Sequence, residues 1–277
     1  MLASRPVASN AACSNRRTKS RSLTMNAQAS GAHGATRTGR MVLYDVPLSN
    51  NGARNRYIIR KKGLENEIDI VSPQTIGGLK SPEYLALNPQ GKMPLLVLED
   101  GTAIPESEVI SQYLLDRFAD RGPSLRAATP EARARAALAT RLHDLYICSV
   151  QAAMYRRMER PEERAAQIGQ IAFQLGVLEG VVQGPYIAGA DPTSADAALF
   201  PTFVFLTFML PRYFGWRDVF AGKPRLAAWW RTMQADPAAA QIMLEIEGGL
   251  EGWAASNRWQ EQGILDQVAN TSFKWAY

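Results

Sequence analysis

The 277-residue chain has 46% apolar and 21% charged residues, which is globular composition, and its 31 basic and 26 acidic residues give a formal charge of +5. That charge is uneven: residues 1–40 hold Arg5, Arg16, Arg17, Lys19, Arg21, Arg37 and Arg40 and no acid, so residues 41–277 carry a slight negative excess. A nucleic-acid reading built on net charge therefore loses its basis, and with Cys148 the one cysteine besides Cys13, no disulfide framework is available to the body of the chain.

Residues 1–40 are rich in Ala, Ser, Thr and Arg and lack a long apolar block, the composition of an organelle transit peptide. The Ser/Thr content leans to the chloroplast; the alternatives are the mitochondrion, or a cytoplasmic protein whose translation starts at Met25 or Met41. A short apolar strand, Met41–Tyr44, leads into the turn sequence PLSNNG. A helix is expected over Ala53–Lys62, stopped by Gly63. Residues 67–71 alternate as a half-buried strand does. Ser81 then caps a short helix with Pro82 at its first position, ending before Asn88-Pro89. Residues 94–98 read as a buried strand, Asp100-Gly101 as a tight hairpin turn, residues 102–104 as the return strand, and residues 107–118 as a helix.

The order βαβαββα predicts a parallel pair joined through a helix, followed by an antiparallel hairpin, in the thioredoxin-like arrangement over residues 41–119. A polar linker is expected over 120–129 and an all-helical domain over 130–257, with breaks at successive prolines. Residues 258–277 form a tail that the pattern does not place. The apolar run Ala197–Leu210 is too short for a membrane span and is expected to be a helix buried all round in a soluble protein. His143, the one histidine of the body, is expected to be a packing residue, so metal and triad chemistry are set aside.

A thioredoxin-like domain doing its own disulfide exchange needs a cysteine after the first strand, where this chain has Ser49-Asn50-Asn51-Gly52. What that position can do is hold another molecule's thiol. A serine hydroxyl and a helix N-terminus together favour a thiolate, and Arg54 supplies nearby positive charge or anchors the turn.

Ser49-x4-Arg54 ahead of Lys62-Gly63 resembles the pattern of serine-type glutathione transferases of the zeta, tau and theta kind. Residues 88–94 (NPQGKMP) resemble that family's NPxxxVP segment, Glu106-Ser107 its glutathione-binding pair, and Thr193-Ser194-Ala195-Asp196 its helix capping box. The resemblance implies a glutathione transferase that uses glutathione as co-substrate and no metal. Its partners would be a small electrophile and a second copy of the chain, with neither nucleic acid nor membrane. In that reading Ser49 hydrogen-bonds the glutathione sulfur, with Tyr44 the rival donor. Glu106 pairs with the γ-glutamyl ammonium and Ser107 binds the γ-glutamyl carboxylate. A cis Pro94 presents the Met93 backbone to the peptide, and Lys80 or Lys92 reaches the glycyl carboxylate. The electrophile would lie against the first long helix of the second domain, near 141–158. The alternatives are a non-catalytic ligand-binding or assembly protein of the same fold, and a glutathione-dependent isomerase or dehalogenase. The zeta-type SSCSWRVR stretch is replaced here by SNNGARNR, which counts against isomerisation. A thiol–disulfide reductase is disfavoured by the missing cysteine.

Overall fold

The computed structural model describes residues 39–277, and the basic leader, apart from its last two residues, lies outside the described residues. Strand β1 (Met41–Tyr44) is followed by helix α1 (Asn50–Lys62) and strand β2 (Ile68–Val71), which runs parallel to β1 with Leu43 opposite Ile70. A 3₁₀ turn and the short helix α2 (Pro82–Leu87) lead to β3 (Leu95–Val97) and β4 (Ala103–Pro105), both antiparallel, so that the sheet order is β2-β1-β3-β4. Helix α3 (Ser107–Arg117) closes this half. Leu43, Leu96, Ala53, Ile58, Ile110 and Leu114 are fully buried between the sheet and α1 and α3. The opposite face of the sheet is covered by α2, where Tyr84 packs edge-on against Tyr44 with ring centroids 5.9 Å apart.

Helix α1 starts three residues earlier than its apolar pattern predicts. Ser49 is extended (φ −80°, ψ 112°) and its hydroxyl accepts the Gly52 N–H at 3.0 Å, so the polar Asn-Asn-Gly stretch is the first turn rather than a loop. Gly63, at φ 64°, ends the helix in the left-handed conformation that side chains disfavour.

The second half is helical: α4 (Pro130–Leu142), α5 (Pro161–Val181), α6 (Ser194–Tyr213), α7 (Pro224–Ala235) and α8 (Pro237–Ala255). All five start on or next to proline or a cap residue, as the prolines at 130, 161, 224 and 237 announce. Helix α6 is long and apolar enough to cross a membrane by length and composition, yet 83% of its apolar window is buried, against α1, α4, α7 and α8. Its start is held by the fully buried Asp196, whose carboxylate accepts the Thr193 N–H (2.7 Å) and hydroxyl (2.9 Å), the Ile187 N–H (2.9 Å) and the Trp229 indole N–H (2.9 Å). Burial raises the Asp196 pKa, against the opposing pull of these donors. Because α1 packs on both α6 and α8, the two halves share one core, and residues 37–277 cluster as a single compact unit.

Two segments differ from expectation. The helix expected near 141–158 stops at Leu142 and continues as a π-turn, His143–Ile147, and a 3₁₀ turn, Gln151–Met154. The tail folds into α9 (Arg258–Glu261) and α10 (Ile264–Val268) and packs back. The Trp259 indole donates to the Met154 carbonyl at 3.0 Å and stacks on Tyr213, while Gln262 and Gln267 bond the backbone of Arg157 and Met158. Trp275 is buried beside Phe214, and its carbonyl accepts the Trp216 indole N–H at 2.7 Å. The last twenty residues thus clamp the segment that follows the π-turn.

Candidate functional site

The turn between β1 and α1 is fixed from behind by Arg56. Its guanidinium pairs with the buried Asp45 carboxylate and donates to the Val46 carbonyl (2.9 Å) and the Pro47 carbonyl (2.6 Å), while its Nε reaches Glu245 on α8 at 3.0 Å. Asp45 is pushed up to about 6: burial outweighs the Arg56 charge, the Val46 N–H, the Ser49 hydroxyl and the Arg56 guanidinium bond. A Cβ on Gly52 would sit 1.9 Å from Asp45 Oδ1, so only glycine lets the helix start over this carboxylate.

Below the α1 N-terminus opens a cleft of about 150 Å³ lined by Asn51, Asn88, Lys92, Met93, Pro94, Glu106 and Ser107. It is smaller than the roughly 300 Å³ at which whole-ligand pockets begin, and so suits one end of an extended ligand. Several supports shape it. The Met93–Pro94 bond is cis. The Tyr84 hydroxyl (2.7 Å) and the Asn88 amide (2.8 Å) both donate to the Lys92 carbonyl, which fixes the backbone entering that bond. Glu106 sits at φ 71°, a conformation that costs a non-glycine residue about 1–3 kcal/mol and recurs at ligand sites. Ser107 begins α3, and the buried Asn55 of α1 donates to both the Ser107 carbonyl and the Ser111 hydroxyl at 2.9 Å. The two helix starts are thereby locked together, and an anion placed between them meets both sets of free N–H groups.

The structure places the expected residues unevenly. Lys92, Met93, Pro94, Glu106 and Ser107 share the cleft. Ser49 caps the adjoining helix, and its neighbour Asn51, not singled out by the sequence, lines the cleft directly. Lys80 is exposed and lies outside the lining. Tyr44 packs on Tyr84 in the second cluster of the sheet, away from the cleft, and burial raises its pKa.

Arg54 does not serve the turn. It lies two residues from Arg56, about 200° around a helix, and is buried facing the second half. It donates to Asp144 of the second half (2.5 Å) and to Glu108 of α3 (3.2 Å) and lies 3.1 Å from His143 Nδ1. Around it stands a constellation that the sequence reading set aside. His143 Nδ1 is 2.8 Å from Asp144 Oδ1, and His143 Nε2 is 2.7 Å from the Thr202 hydroxyl and 3.3 Å from Cys148 Sγ. The π-turn builds it: the Cys148 N–H bonds the His143 carbonyl at 2.9 Å, five residues back. In an α-helix those side chains would point about 140° apart. Cys148 Sγ also contacts Asn50 Nδ2 and Asn51 Oδ1, each at 3.9 Å.

Electrostatics follow from the contacts. Burial disfavours charge on His143, but the Cys148 sulfur and the Asp144 bond prevail and carry it up to about 9. Burial likewise raises the Cys148 thiol, but His143 and Arg54 more than offset it, so its pKa is lowered. Asp144, despite burial, is held below the usual carboxylate range by His143 and Arg54. His143, Asp144 and Cys148 also present donor atoms within 4.8 Å of one another, but the Asp144 carboxylate is already taken by a guanidinium, which competes with any cation.

Comparison with known proteins places this geometry. The glutathione S-transferase N-terminal domain family matches residues 43–123 and the corresponding C-terminal domain family residues 161–231. Glutathione S-transferase 3 of Zea mays is 33% identical over 219 residues, covering 74% of this chain and 93% of that protein. Maleylacetoacetate isomerase of Pseudomonas aeruginosa is 33% identical over 171 residues, covering 58% of this chain and 79% of that protein. Glutathione transferase Omega 3C of Trametes versicolor superposes with a TM-score of 0.63 at 22% identity, over 73% of this chain and 88% of that one, which shows the shared fold.

Proposed function

The chain belongs to the glutathione S-transferase family and is a glutathione transferase, and on that premise we propose that it ionises glutathione at the α1 N-terminus and adds the sulfur to small electrophiles. The observation that supports this is the cleft in which Lys92, Met93, Glu106 and Ser107 converge beside a helix capped by Ser49. Glu106 meets the ammonium of the γ-glutamyl end and the α3 N-terminus its carboxylate. Met93 lies where an extended peptide can run as an added strand, and Lys92, which lines the cleft, is the cation we assign to its glycyl end.

The Ser49 oxygen is already engaged by the Gly52 N–H, so its proton is the part free to be given. Asp45 is the resident acceptor and an incoming thiolate its competitor. Lowering a thiol pKa from about 9 to about 6.5 raises the thiolate fraction at pH 7 from about 1% to most of the pool, worth about 3 kcal/mol. Conjugation of an aryl halide by the purified protein tests the proposal; a rate equal to the uncatalysed background would refute it and leave a binding protein of the same fold.

Two finer readings go with it. Residues 1–40 act as a chloroplast transit peptide, which fusion of those residues to a fluorescent reporter would test. The working unit is a homodimer, which sedimentation of the purified chain would test. Detoxification or glutathione metabolism is the setting such conjugation serves.

A further inference from the structure

The transferase reading gives named roles to residues of the first half and places the electrophile near 141–158, but it gives the Cys148 constellation itself no task. Three features set Cys148 apart from a packing cysteine. It is half-exposed. It belongs to a Cys–His–Asp relay of the kind that activates a nucleophile, with His143 Nε2 at 3.3 Å and His143 Nδ1 held by Asp144 at 2.8 Å. And it touches Asn51, a residue that lines the glutathione cleft.

The network around it accommodates a protonated His143, although the Arg54 guanidinium 3.1 Å from Nδ1 opposes that charge. The imidazolium gives its Nδ1 proton to Asp144 and its Nε2 proton to Thr202 and the sulfur. The Thr202 hydroxyl, accepting also from Asn50 Nδ2 at 3.0 Å, donates to Gln151 Oε1 at 3.3 Å. Arg54 lies across Asp144, and Tyr155 is a further titratable side chain in electrostatic contact with the sulfur. Against its burial, the His143 imidazole at 3.3 Å and the Arg54 guanidinium lower the Cys148 thiol pKa.

A thiolate formed here, beside the α1 start that Asn50 and Asn51 share with Ser49, conflicts with the thiolate of reduced glutathione, since two anions at one helix start repel each other. A disulfide presents a neutral, electrophilic sulfur at the same place and removes the conflict. We propose that Cys148 is a second reactive centre that exchanges with disulfides carrying a glutathionyl half, seated in the cleft, through a Cys148–glutathione mixed disulfide. The inference rests on the cleft binding glutathione.

The steps balance without an external oxidant. The Cys148 thiolate attacks the glutathionyl sulfur of a mixed disulfide RS–SG; the new S–S bond forms as the old one breaks, and RS⁻ leaves with a proton from His143 or water. A glutathione thiolate then attacks the glutathionyl sulfur on Cys148, releasing glutathione disulfide and restoring the Cys148 thiolate, while His143 regains its proton. The net change is RS–SG plus glutathione to RSH plus glutathione disulfide. The lack of a cysteine at Ser49–Gly52 does not bar this chemistry, because the sulfur comes from the other half of the chain.

The test uses the full chain with Cys13→Ser, leaving Cys148 as its one thiol. Incubation with glutathione disulfide should add one glutathionyl group, read by intact mass, at least 10-fold faster than the neutral 2-hydroxyethyl disulfide modifies the protein. Excess glutathione should remove it. The glutathione–mercaptoethanol mixed disulfide should be turned over, and Cys148→Ser should abolish that turnover. His143→Gln should slow iodoacetamide alkylation of Cys148 at pH 7 by about 10-fold or more and restore it as the pH passes the ordinary thiol range, a shift that a structural role would not produce. No adduct, an adduct formed equally fast by both disulfides, or one that glutathione cannot remove would each overturn the proposal. Aryl-halide conjugation by the wild-type chain reads the transferase role separately: conjugation without the adduct sinks only the exchange, and the adduct without conjugation sinks only the transferase role.

Discussion

Ser49 holds two jobs that substitution can separate. Its oxygen accepts the Gly52 N–H at 3.0 Å, and its proton is what a sulfur bound at the helix start competes for with Asp45. A hydrogen bond to a charged acceptor contributes about 1.5–3 kcal/mol. Taking about 2 kcal/mol, its loss in Ser49→Ala raises the bound thiol by about 1.5 pKa units. If the wild-type complex titrates near pH 6.5, the variant should titrate near pH 8, and kcat/KM at pH 6.5 should fall about 15-fold, a deficit that closes above pH 9.

Loss of the cap adds a separate cost of about 1 kcal/mol for alanine and a few tenths for glycine. In a chain of this size 1 kcal/mol moves Tm by about 2–4 °C. Ser49→Ala should therefore lose both stability and acidity, Ser49→Gly acidity with little stability, and Ser49→Thr neither. The readout is ultraviolet titration of glutathione thiolate bound to each variant, beside thermal melts. An unchanged titration midpoint in both Ser49→Ala and Ser49→Gly would refute the assignment. If Asn51→Ala moves the midpoint instead, the donor is the cleft-lining amide one residue into the helix. Tyr44→Phe should change nothing.

Gly52→Ala drives a methyl to 1.9 Å from the Asp45 carboxylate; relief by moving the helix start should cost about 1–3 kcal/mol in denaturant titration and most of the conjugation rate. Asn55→Ala removes the bonds to Ser107 and Ser111 from a fully buried position; with about 1–3 kcal/mol of support gone from the α3 start, KM for glutathione should rise about 10-fold while kcat moves less. For Asp45 the folded-state pKa, about 6, lies above the unfolded value near 3.8, so the folded chain binds the extra proton. Its contribution is therefore most favourable below pH 4 and is lost as pH rises to about 6, by at most about 3 kcal/mol. The stability of wild type minus that of Asp45→Asn should decline over that window; a difference that grows there would reverse the sign of the argument.

The sequence of elements in the first half and several helix starts were legible because they rest on apolar alternation and on prolines, as at Pro82, Pro130, Pro161, Pro224 and Pro237, whereas the start of α1 and the end of α4 were not. The cleft residues 92–94 and 106–107 were legible because the segments carrying them are motifs. Other features needed three dimensions. Arg54 and Arg56 look equivalent in the sequence, and only the helical rotation sends one to Asp144 and the other to Asp45. Tyr44 alternates onto the far face of the sheet. Asn51 reads as a turn residue until Ser49 is recognised as a cap, and nothing in the sequence says that Asn55, inside the expected helix, reaches across to α3. The His143–Cys148 meeting escapes any search at helical spacing, since a spacing of five brings side chains together only where the helix widens. The tail had no periodicity to read: its contacts are tryptophans and glutamines reaching distant carbonyls.

The widened turn has an evolutionary edge. It accommodates one residue more than a regular helix would over the same span, so deleting a single codon between His143 and Cys148 would rewind the segment and swing the sulfur away from its imidazole, with the surrounding helices still packed. Reinserting it would bring the pair back. Relatives that differ by one residue in length here would then fall into two chemical sorts, distinguishable by counting letters alone.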